Sequence, residues 1–244
     1  MKMVRFMLIG VVLMLALVVS AQSELKTSNA DQVREAVVLI KGLEGGSCSG
    51  VQVKTDSGKL VILTAAHCRG LLFDDMAVVE NEARRTKAVV RFIAEDDRSD
   101  LMMLGGSERI GHISIADSAT MHERAYTMTH GAGVPAYRTD GELLDEYVGG
   151  FVVDEIITQE DRDRCVSQPK HAVIAHVFGG YLCVLDVKST RTTTAIVPGS
   201  SGGPLLNERG QLIGIASFIN TRLPIFGFFV RLEDIRSFAD QASQ

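Results

Sequence analysis

Short runs of branched and other apolar residues, separated by polar turns, recur along most of the chain and predict β-strands. In the first half these runs cover residues 36–40, 50–54, 60–64, 76–79, 88–93, 101–104 and 113–115. In the second half they cover residues 147–153, 172–177, 181–187, 192–197, 212–219 and 225–230. Many short strands with few helical patterns are typical of an all-β sandwich or barrel.

The beginning of the chain departs from the strand pattern. Residues 7–19 are apolar except for Gly10, follow Lys2 and Arg5, and precede the small residues Ser20 and Ala21. This pattern predicts a signal peptide over residues 1–21. The apolar run is shorter than the roughly 20 residues of a membrane-spanning helix. We therefore expect cleavage and a secreted or periplasmic protein without stable membrane insertion; an uncleaved membrane anchor is the alternative.

The remaining pattern divides the chain into a lead-in, two strand-rich halves and a helix. Residues 22–34 are largely polar, and we expect a flexible lead-in there. The two halves span about residues 35–120 and about residues 121–231. A C-terminal helix is predicted at about residues 232–241, because four apolar residues fall on one face: Leu232, Ile235, Phe238 and Ala239.

Composition narrows the class of protein further. The chain has 244 residues, 46% of them hydrophobic, and a formal net charge of -5. The absence of a long basic run argues against a nucleic-acid partner. Four cysteines in an exported chain predict two disulfides. Neither the cysteines nor the histidines have metal-ligand spacing, so we expect no metal and no cofactor.

The small-residue loop at residues 197–206 predicts a nucleophile at Ser201, since glycines on both sides let backbone N–H groups face a developing oxyanion. The loop also fits the G-x-S-x-G elbow of α/β-hydrolases, whose histidine follows the serine. No histidine follows Ser201 in this chain, which excludes that elbow.

A base and an acid are available upstream of Ser201. His67 follows the predicted strand at residues 60–64, and Asp100 precedes the one at residues 101–104. Asp96 and Asp97 lie nearby, but no apolar run follows either directly. The order His67, Asp100, Ser201 is the order of base, acid and nucleophile in the chymotrypsin group. The other five histidines are expected to have ordinary surface or core roles.

Two motifs resemble those of trypsin-like serine peptidases. Residues 64–68 read T-A-A-H-C, as around the family's base, and residues 199–204 read G-S-S-G-G-P, as around its nucleophile. The resemblance covers roughly residues 36–238. It implies a chymotrypsin-like fold of two six-stranded antiparallel β-barrels, and it makes residues 35–244 a serine protease domain acting on protein or peptide substrates.

The resemblance also implies individual roles. His67, Asp100 and Ser201 would be the catalytic triad, and the N–H groups of Gly199 and Ser201 the oxyanion hole. Members of the family often link the cysteine of the histidine motif to one in the preceding strand, which implies the disulfide Cys48–Cys68. The remaining pair is then Cys165–Cys183.

The sequence differs from that of digestive members of the family. Those enzymes begin with an I-V-G-G type sequence, whose new amine pairs with an Asp directly before the nucleophile; here that position is Ser200. We therefore expect no digestive-type zymogen cleavage. Residues 202–215 are more similar to bacterial HtrA-type peptidases, and the tail after the last helix is too short for a PDZ domain, so a bare protease domain is expected.

Specificity is predicted by analogy with the trypsin pocket. Its acid, six residues before the nucleophile, corresponds to Ala195. Together with Ser217, Phe218 and Gly227, Ala195 predicts an uncharged pocket for the residue before the scissile bond (P1). Three arginines leave an acidic P1 as an alternative: Arg191, Arg222 and Arg231. A catalytically silent homologue used as a binding module, and an esterase, are the alternative functions.

Overall fold

Strands dominate the protein, as the sequence pattern predicted. The computed structural model describes residues 29–42, 45–167, 172–177, 180–219 and 225–242, and the predicted signal peptide lies outside these ranges. Two closed six-stranded antiparallel barrels and a C-terminal helix account for most of the described residues. The predicted all-β fold is therefore confirmed.

The first barrel pairs its strands in the order β1-β2-β3-β6-β5-β4 and closes through β1 and β4. Its strands are β1 (Val37–Lys41), β2 (Ser47–Lys54), β3 (Leu60–Ala65), β4 (Met76–Asn81), β5 (Thr86–Asp96) and β6 (Leu101–Gly105). A 3₁₀ turn, Ala66–Leu71, follows β3 directly.

The second barrel pairs its strands in the order β13-β12-β11-β7-β8-β10 and closes through β10 and β13. Its strands are β7 (Arg124–Thr129), β8 (Tyr137–Ile156), β10 (Gly180–Thr192), β11 (Pro204–Asn207), β12 (Leu212–Ile219) and β13 (Gly227–Val230). A further strand, β9 (Ala172–Val177), extends the sheet beyond β10, and helix α2 (Gln159–Ser167) lies between β8 and β9. A 3₁₀ turn, Gly131–Gly133, follows β7.

An apolar core lies between the barrels as well as inside each of them. On β3, Ile62 packs inside the first barrel, whereas its neighbour Leu63 packs between the barrels, because successive strand residues point to opposite faces. Met128 and Ile215 of the second barrel join Leu63 there. This shared core fixes the barrels relative to each other and so fixes the cleft that they form.

Helix α3 (Leu232–Ala242) covers one side of this shared core. Its four predicted apolar residues are all buried, with 0–6% of their surface exposed. Among the described residues, no helix is long and apolar enough to cross a bilayer.

The lead-in differs from the expectation at its C-terminal part, because residues 29–36 are helical (α1). Val33 of α1 is 1% exposed and packs in the core between the barrels. The Asn81 side chain donates hydrogen bonds to the carbonyls of Arg34, Glu35 and Val37. Burial of Val33 and these bonds to the end of the helix order a segment whose sequence is mostly polar.

Two strand predictions were wrong. Residues 113–115 form only isolated bridges, and residues 194–197 form no strand, since β10 ends at Thr192. At that point the Thr194 N–H donates to the Thr192 hydroxyl, 3.1 Å away, and this local bond replaces a bond of the ladder. The chain is thereby released from the sheet just before the glycine-rich loop.

Candidate active site

His67 lies in the cleft because β3 ends at Ala65 and the chain turns at once. The 3₁₀ turn carries His67 and Cys68, and the disulfide Cys48–Cys68 joins this turn to β2. The His67 side chain is 28% exposed, so part of the imidazole is accessible to solvent.

Asp100 contacts the Nδ1 atom of the His67 imidazole. Its Oδ1 and Oδ2 atoms lie 3.0 and 2.9 Å from His67 Nδ1, and Oδ1 also accepts from the His67 backbone N–H at 3.0 Å. Asp100 has a φ of 55°, a strained value for a residue with a side chain. Asp96, one of the two nearby alternatives, instead accepts from the Ser99 hydroxyl at 2.6 Å.

Ser217 has a contact that sequence reasoning missed. The sequence predicted Ser217 as a wall of the substrate pocket. Its hydroxyl instead donates to Asp100 Oδ2 at 2.5 Å, and the residue is 2% exposed. The bond crosses from β12 of the second barrel to the first barrel. No local pattern marks it, since 117 positions separate the two residues.

The loop that carries Ser201 docks against the first barrel beside the His67 turn. The Ser49 N–H on β2 donates to the Ser201 carbonyl at 2.8 Å. A side chain at Gly202, which has a φ of +82°, would overlap the Thr64 hydroxyl and the Ser49 carbonyl. Only glycine permits this approach, which brings Ser201 to the end of the strand that leads into His67.

The backbone around Ser201 is arranged so that two N–H groups remain available. Gly199 has a φ of +90°, and the Pro198 carbonyl accepts from Ala132 N–H at 2.7 Å. The Ser200 carbonyl accepts from Gly203 N–H at 2.9 Å. A trans peptide directs its N–H opposite to its C=O. The bond to the Pro198 carbonyl therefore turns the Gly199 N–H away from Ala132, and the bond to the Ser200 carbonyl turns the Ser201 N–H away from Gly203. Neither the Gly199 nor the Ser201 N–H donates to another described residue.

Ser200, the residue before Ser201, is buried within this loop. It is 0% exposed, and its hydroxyl lies 2.9 Å from the Thr129 hydroxyl and accepts from the Val197 N–H at 3.2 Å. A Cβ at Gly131 would lie 2.6 Å from the Ser200 hydroxyl, so the turn after β7 packs tightly on the loop.

His130, in the same turn, is a buried histidine. It is 1% exposed, and neither ring nitrogen has a hydrogen-bond partner among the described residues. Burial lowers the pKa of His130 below its usual 6.5, and the Glu82 carboxylate, 4.0 Å from Nδ1, opposes this only in part.

Three of the residues predicted to form the substrate pocket lie in neighbouring segments: Phe218 on β12, Gly227 on β13 and Ala195 after β10. The pairing of β12 with β13 places Phe218 opposite Phe228, and their rings stack with centroids 4.7 Å apart. A Cβ at Gly227 would lie 2.6 Å from the Thr194 carbonyl and 2.7 Å from the Phe229 ring. Gly227 therefore adjoins the segment that carries Ala195, an exposed residue.

Phe229, which the sequence did not lead us to assign, is fully buried in the core of the second barrel behind Gly227. Its position could have been read from the alternation along β13, because it shares a face with Gly227. Of the predicted arginines, Arg191 makes two hydrogen bonds to Asp145, and Arg231 makes two to Asp234. The Asp234 carboxylate raises the pKa of Arg231. Arg222 lies outside the described residues.

Both predicted disulfides are present. Cys48–Cys68 anchors the His67 turn, and Cys165–Cys183 joins α2 to β10. In the part of the chain that the structure describes, no group of three or more His, Cys, Asp or Glu side chains could hold a metal ion.

Comparisons with known proteins agree with this geometry. The family of trypsin-like peptidase domains matches residues 48–215. The serine protease Do-like HtrA of Bacillus subtilis is 26% identical over 201 residues, which cover 81% of this chain and 39% of that protein. Do-like HtrB of the same organism is 28% identical over 205 residues, covering 80% and 38%. The chain thus spans about two fifths of the length of these relatives.

Solved structures have the same fold at low sequence identity. The active form of the Rv3671c protease from M. tuberculosis has a TM-score of 0.64 at 13% identity, covering 86% of this chain and 81% of that one. The serine endoprotease from Yersinia pestis has a TM-score of 0.62 at 17% identity, covering 89% and 66%.

Proposed function

This chain belongs to the trypsin-like peptidase family, and we propose that it is a serine endopeptidase that uses Ser201, His67 and Asp100. The observation that carries the proposal is that both Asp100 carboxylate oxygens lie within hydrogen-bond distance of His67 Nδ1. The loop of the second barrel that contains Ser201 is bonded to the first barrel beside this pair. A carboxylate that orients an imidazole in this way fixes its tautomer and leaves Nε2 to act as the base.

The reaction follows from these positions. Ser201 Oγ attacks the scissile carbonyl carbon, and His67 Nε2 takes the hydroxyl proton. The carbonyl oxygen becomes an oxyanion, which the N–H groups of Gly199 and Ser201 stabilise. His67 then returns the proton to the leaving amine, the C–N bond breaks, and an acyl-enzyme remains. Water activated by His67 adds to the acyl carbon and releases the acid and Ser201.

Asp100 stabilises the imidazolium that forms in each half of the reaction. The hydrogen bond from Ser217 supports its orientation, because a buried carboxylate is held most firmly when several donors surround it. In this proposal Ser217 positions Asp100 and does not touch the substrate.

The proposed substrate has an uncharged residue at P1. Ala195 stands where the trypsin pocket has an acid, and the nearby Phe218 and Gly227 carry no charge. Arg191 and Arg231 are already paired with carboxylates, which disfavours the acidic alternative.

The proposed enzyme needs no digestive-type activation cleavage. In digestive members the Asp before the nucleophile pairs with the N-terminal amine that activation cleavage creates. The residue at that position here, Ser200, is bonded to Thr129 and Val197. Export is proposed from the sequence of residues 1–21, and the two disulfides fit an oxidising compartment.

The test is hydrolysis of a panel of fluorogenic peptide amides that differ only at P1, with matched esters beside them. The proposal predicts turnover of amides with aliphatic or aromatic P1 residues and its loss in Ser201→Ala. Hydrolysis of esters alone would indicate an esterase. A folded protein that hydrolyses neither would be the silent homologue.

A further inference from the structure

Ser49, on β2 of the first barrel, lies at the junction with the loop that carries Ser201. It is fully buried, and its side chain makes two hydrogen bonds to the backbone of the second barrel. The hydroxyl accepts from the His130 N–H at 2.9 Å and donates to the Gly199 carbonyl at 3.0 Å. The Ser49 hydroxyl therefore joins the turn after β7 to the nucleophile loop.

The backbone of Ser49 also holds this loop. Its N–H donates to the Ser201 carbonyl at 2.8 Å, and its carbonyl accepts from the Thr64 hydroxyl at 2.7 Å. One residue of the first barrel thus contacts Gly199 through its side chain and Ser201 through its main chain. These are the two residues whose N–H groups form the proposed oxyanion hole.

The side-chain bond limits rotation about Gly199, because it holds the peptide that follows this residue. The peptide before Gly199 is anchored by the bond from Ala132 to the Pro198 carbonyl, and the peptide after it by the bond from Ser49 to the Gly199 carbonyl. A glycine can rotate readily, and a φ of +90° is only one of its accessible values. Anchoring both flanking peptides therefore keeps the N–H turned toward the cleft.

We propose that Ser49 is a positioning residue for the oxyanion hole, acting through the Gly199 carbonyl. The proposal rests on the proposed peptidase function for its catalytic consequence but not for its structural one. Its chemistry is distinct from that of the triad, because Ser49 takes up no proton and touches no substrate.

The test compares Ser49→Ala with a matched control, Thr127→Val. The Thr127 hydroxyl is also fully buried and donates to the carbonyl of Pro204, the first residue of β11, at 2.7 Å. Thr127→Val loses one buried hydroxyl bond and Ser49→Ala loses two, and only Ser49→Ala frees the Gly199 carbonyl. Each variant is measured for melting temperature, kcat and KM on a peptide amide, and amide hydrogen exchange.

Ser49→Ala is expected to lower kcat by about 10 to 100-fold. This decrease is no larger than the decrease caused by removing one oxyanion-hole donor, and KM should stay within about twofold of its value in the unmodified protein. Thr127→Val is expected to keep kcat although its melting temperature also falls. Hydrogen exchange in residues 197–203 is expected to rise in Ser49→Ala and not in Thr127→Val. Equal kcat in the two variants would overturn the catalytic role of Ser49.

Failure of the peptidase function gives a different result. If the unmodified protein hydrolyses nothing, hydrogen exchange still tests whether Ser49 positions the loop. Unchanged exchange of residues 197–203 in Ser49→Ala would reject that structural role. The unmodified protein offers a check without any variant, since the His130 amide should exchange slowly. Rapid exchange of that amide would contradict the bond on which the proposal rests.

Discussion

The Ser217 hydroxyl of the second barrel donates a 2.5 Å hydrogen bond to the Asp100 carboxylate of the first. This contact ties the acid that orients His67 to the barrel that supplies Ser201. Movement of one barrel relative to the other would therefore disturb the acid directly.

Replacing Ser217 by alanine should lower kcat by about 10-fold, because a hydrogen bond to a charged group contributes about 1.5–3 kcal/mol. The control is Ser189→Ala, which removes the hydroxyl of another fully buried serine of the second barrel, bonded among the described residues to the Tyr147 carbonyl. Steady-state kinetics on a peptide amide checks the prediction. Equal kcat in the two variants would mean that the Ser217 contact does not support catalysis.

Replacing Asp100 by asparagine should lower kcat by about 10⁴-fold, as in comparable triads, because the amide favours the wrong imidazole tautomer. Asp96→Asn is the control, since Asp96 bonds to Ser99 and not to His67. It should retain kcat within a few-fold. If Asp96→Asn were the more damaging change, the acid would have been assigned to the wrong residue.

Introducing an acid at Ala195 should shift the P1 preference toward Lys and Arg. The ratio of kcat/KM for Lys or Arg over Leu or Phe should rise at least about 10-fold, which corresponds to about 1.4 kcal/mol of ion-pair stabilisation. Thr193→Asp places a carboxylate at a neighbouring exposed residue and should leave the ratio unchanged. The same shift in both variants would show that the effect comes from net charge and not from the pocket.

Because His130 is buried, we expect the protein to lose stability as the pH falls. Its folded-state pKa lies below its usual 6.5 because of burial, although Glu82 and Glu80 oppose the shift and Lys41 adds to it. The unfolded state therefore binds more protons, so stability is retained above about pH 6.5 and declines as the pH drops toward the lowered pKa. Urea unfolding between pH 7.5 and 5 measures this decline.

In His130→Leu the decline should be smaller than in the unmodified protein, since the titrating group is gone. His112→Gln, at an exposed histidine, should retain the decline of the unmodified protein. An identical pH dependence in all three proteins would show that His130 does not couple to folding in this range.

Local sequence predicted His67 and Ser201 because their chemistry needs particular small neighbours, and those neighbours are contiguous in the chain. Asp100 could be selected from its position before an apolar strand. The role of Ser217 could not be predicted, because a serine on a strand has no local feature that identifies a partner in the other barrel. Ser49 escaped notice for the same reason.

Strand β7 was missed because its inward-facing residues are partly polar. Thr127 and Thr129 are both fully buried, and their hydroxyls bond to Pro204 and Ser200, so the apolar alternation that identifies a strand is absent. Thr129 holds the nucleophile loop through Ser200, whereas Thr127 bonds to the first residue of β11. The requirements of the site thus obscured the strand in the sequence.

The central claim is that Ser201 is a nucleophile activated by His67. Incubation with a fluorophosphonate, followed by intact-mass and tandem mass spectrometry, tests it most directly, because the reagent phosphonylates an activated serine. The account predicts a single adduct on Ser201 in the unmodified protein and none in folded Ser201→Ala or His67→Ala. A folded, unmodified protein that takes up no reagent, or takes it up on another residue, would contradict the account.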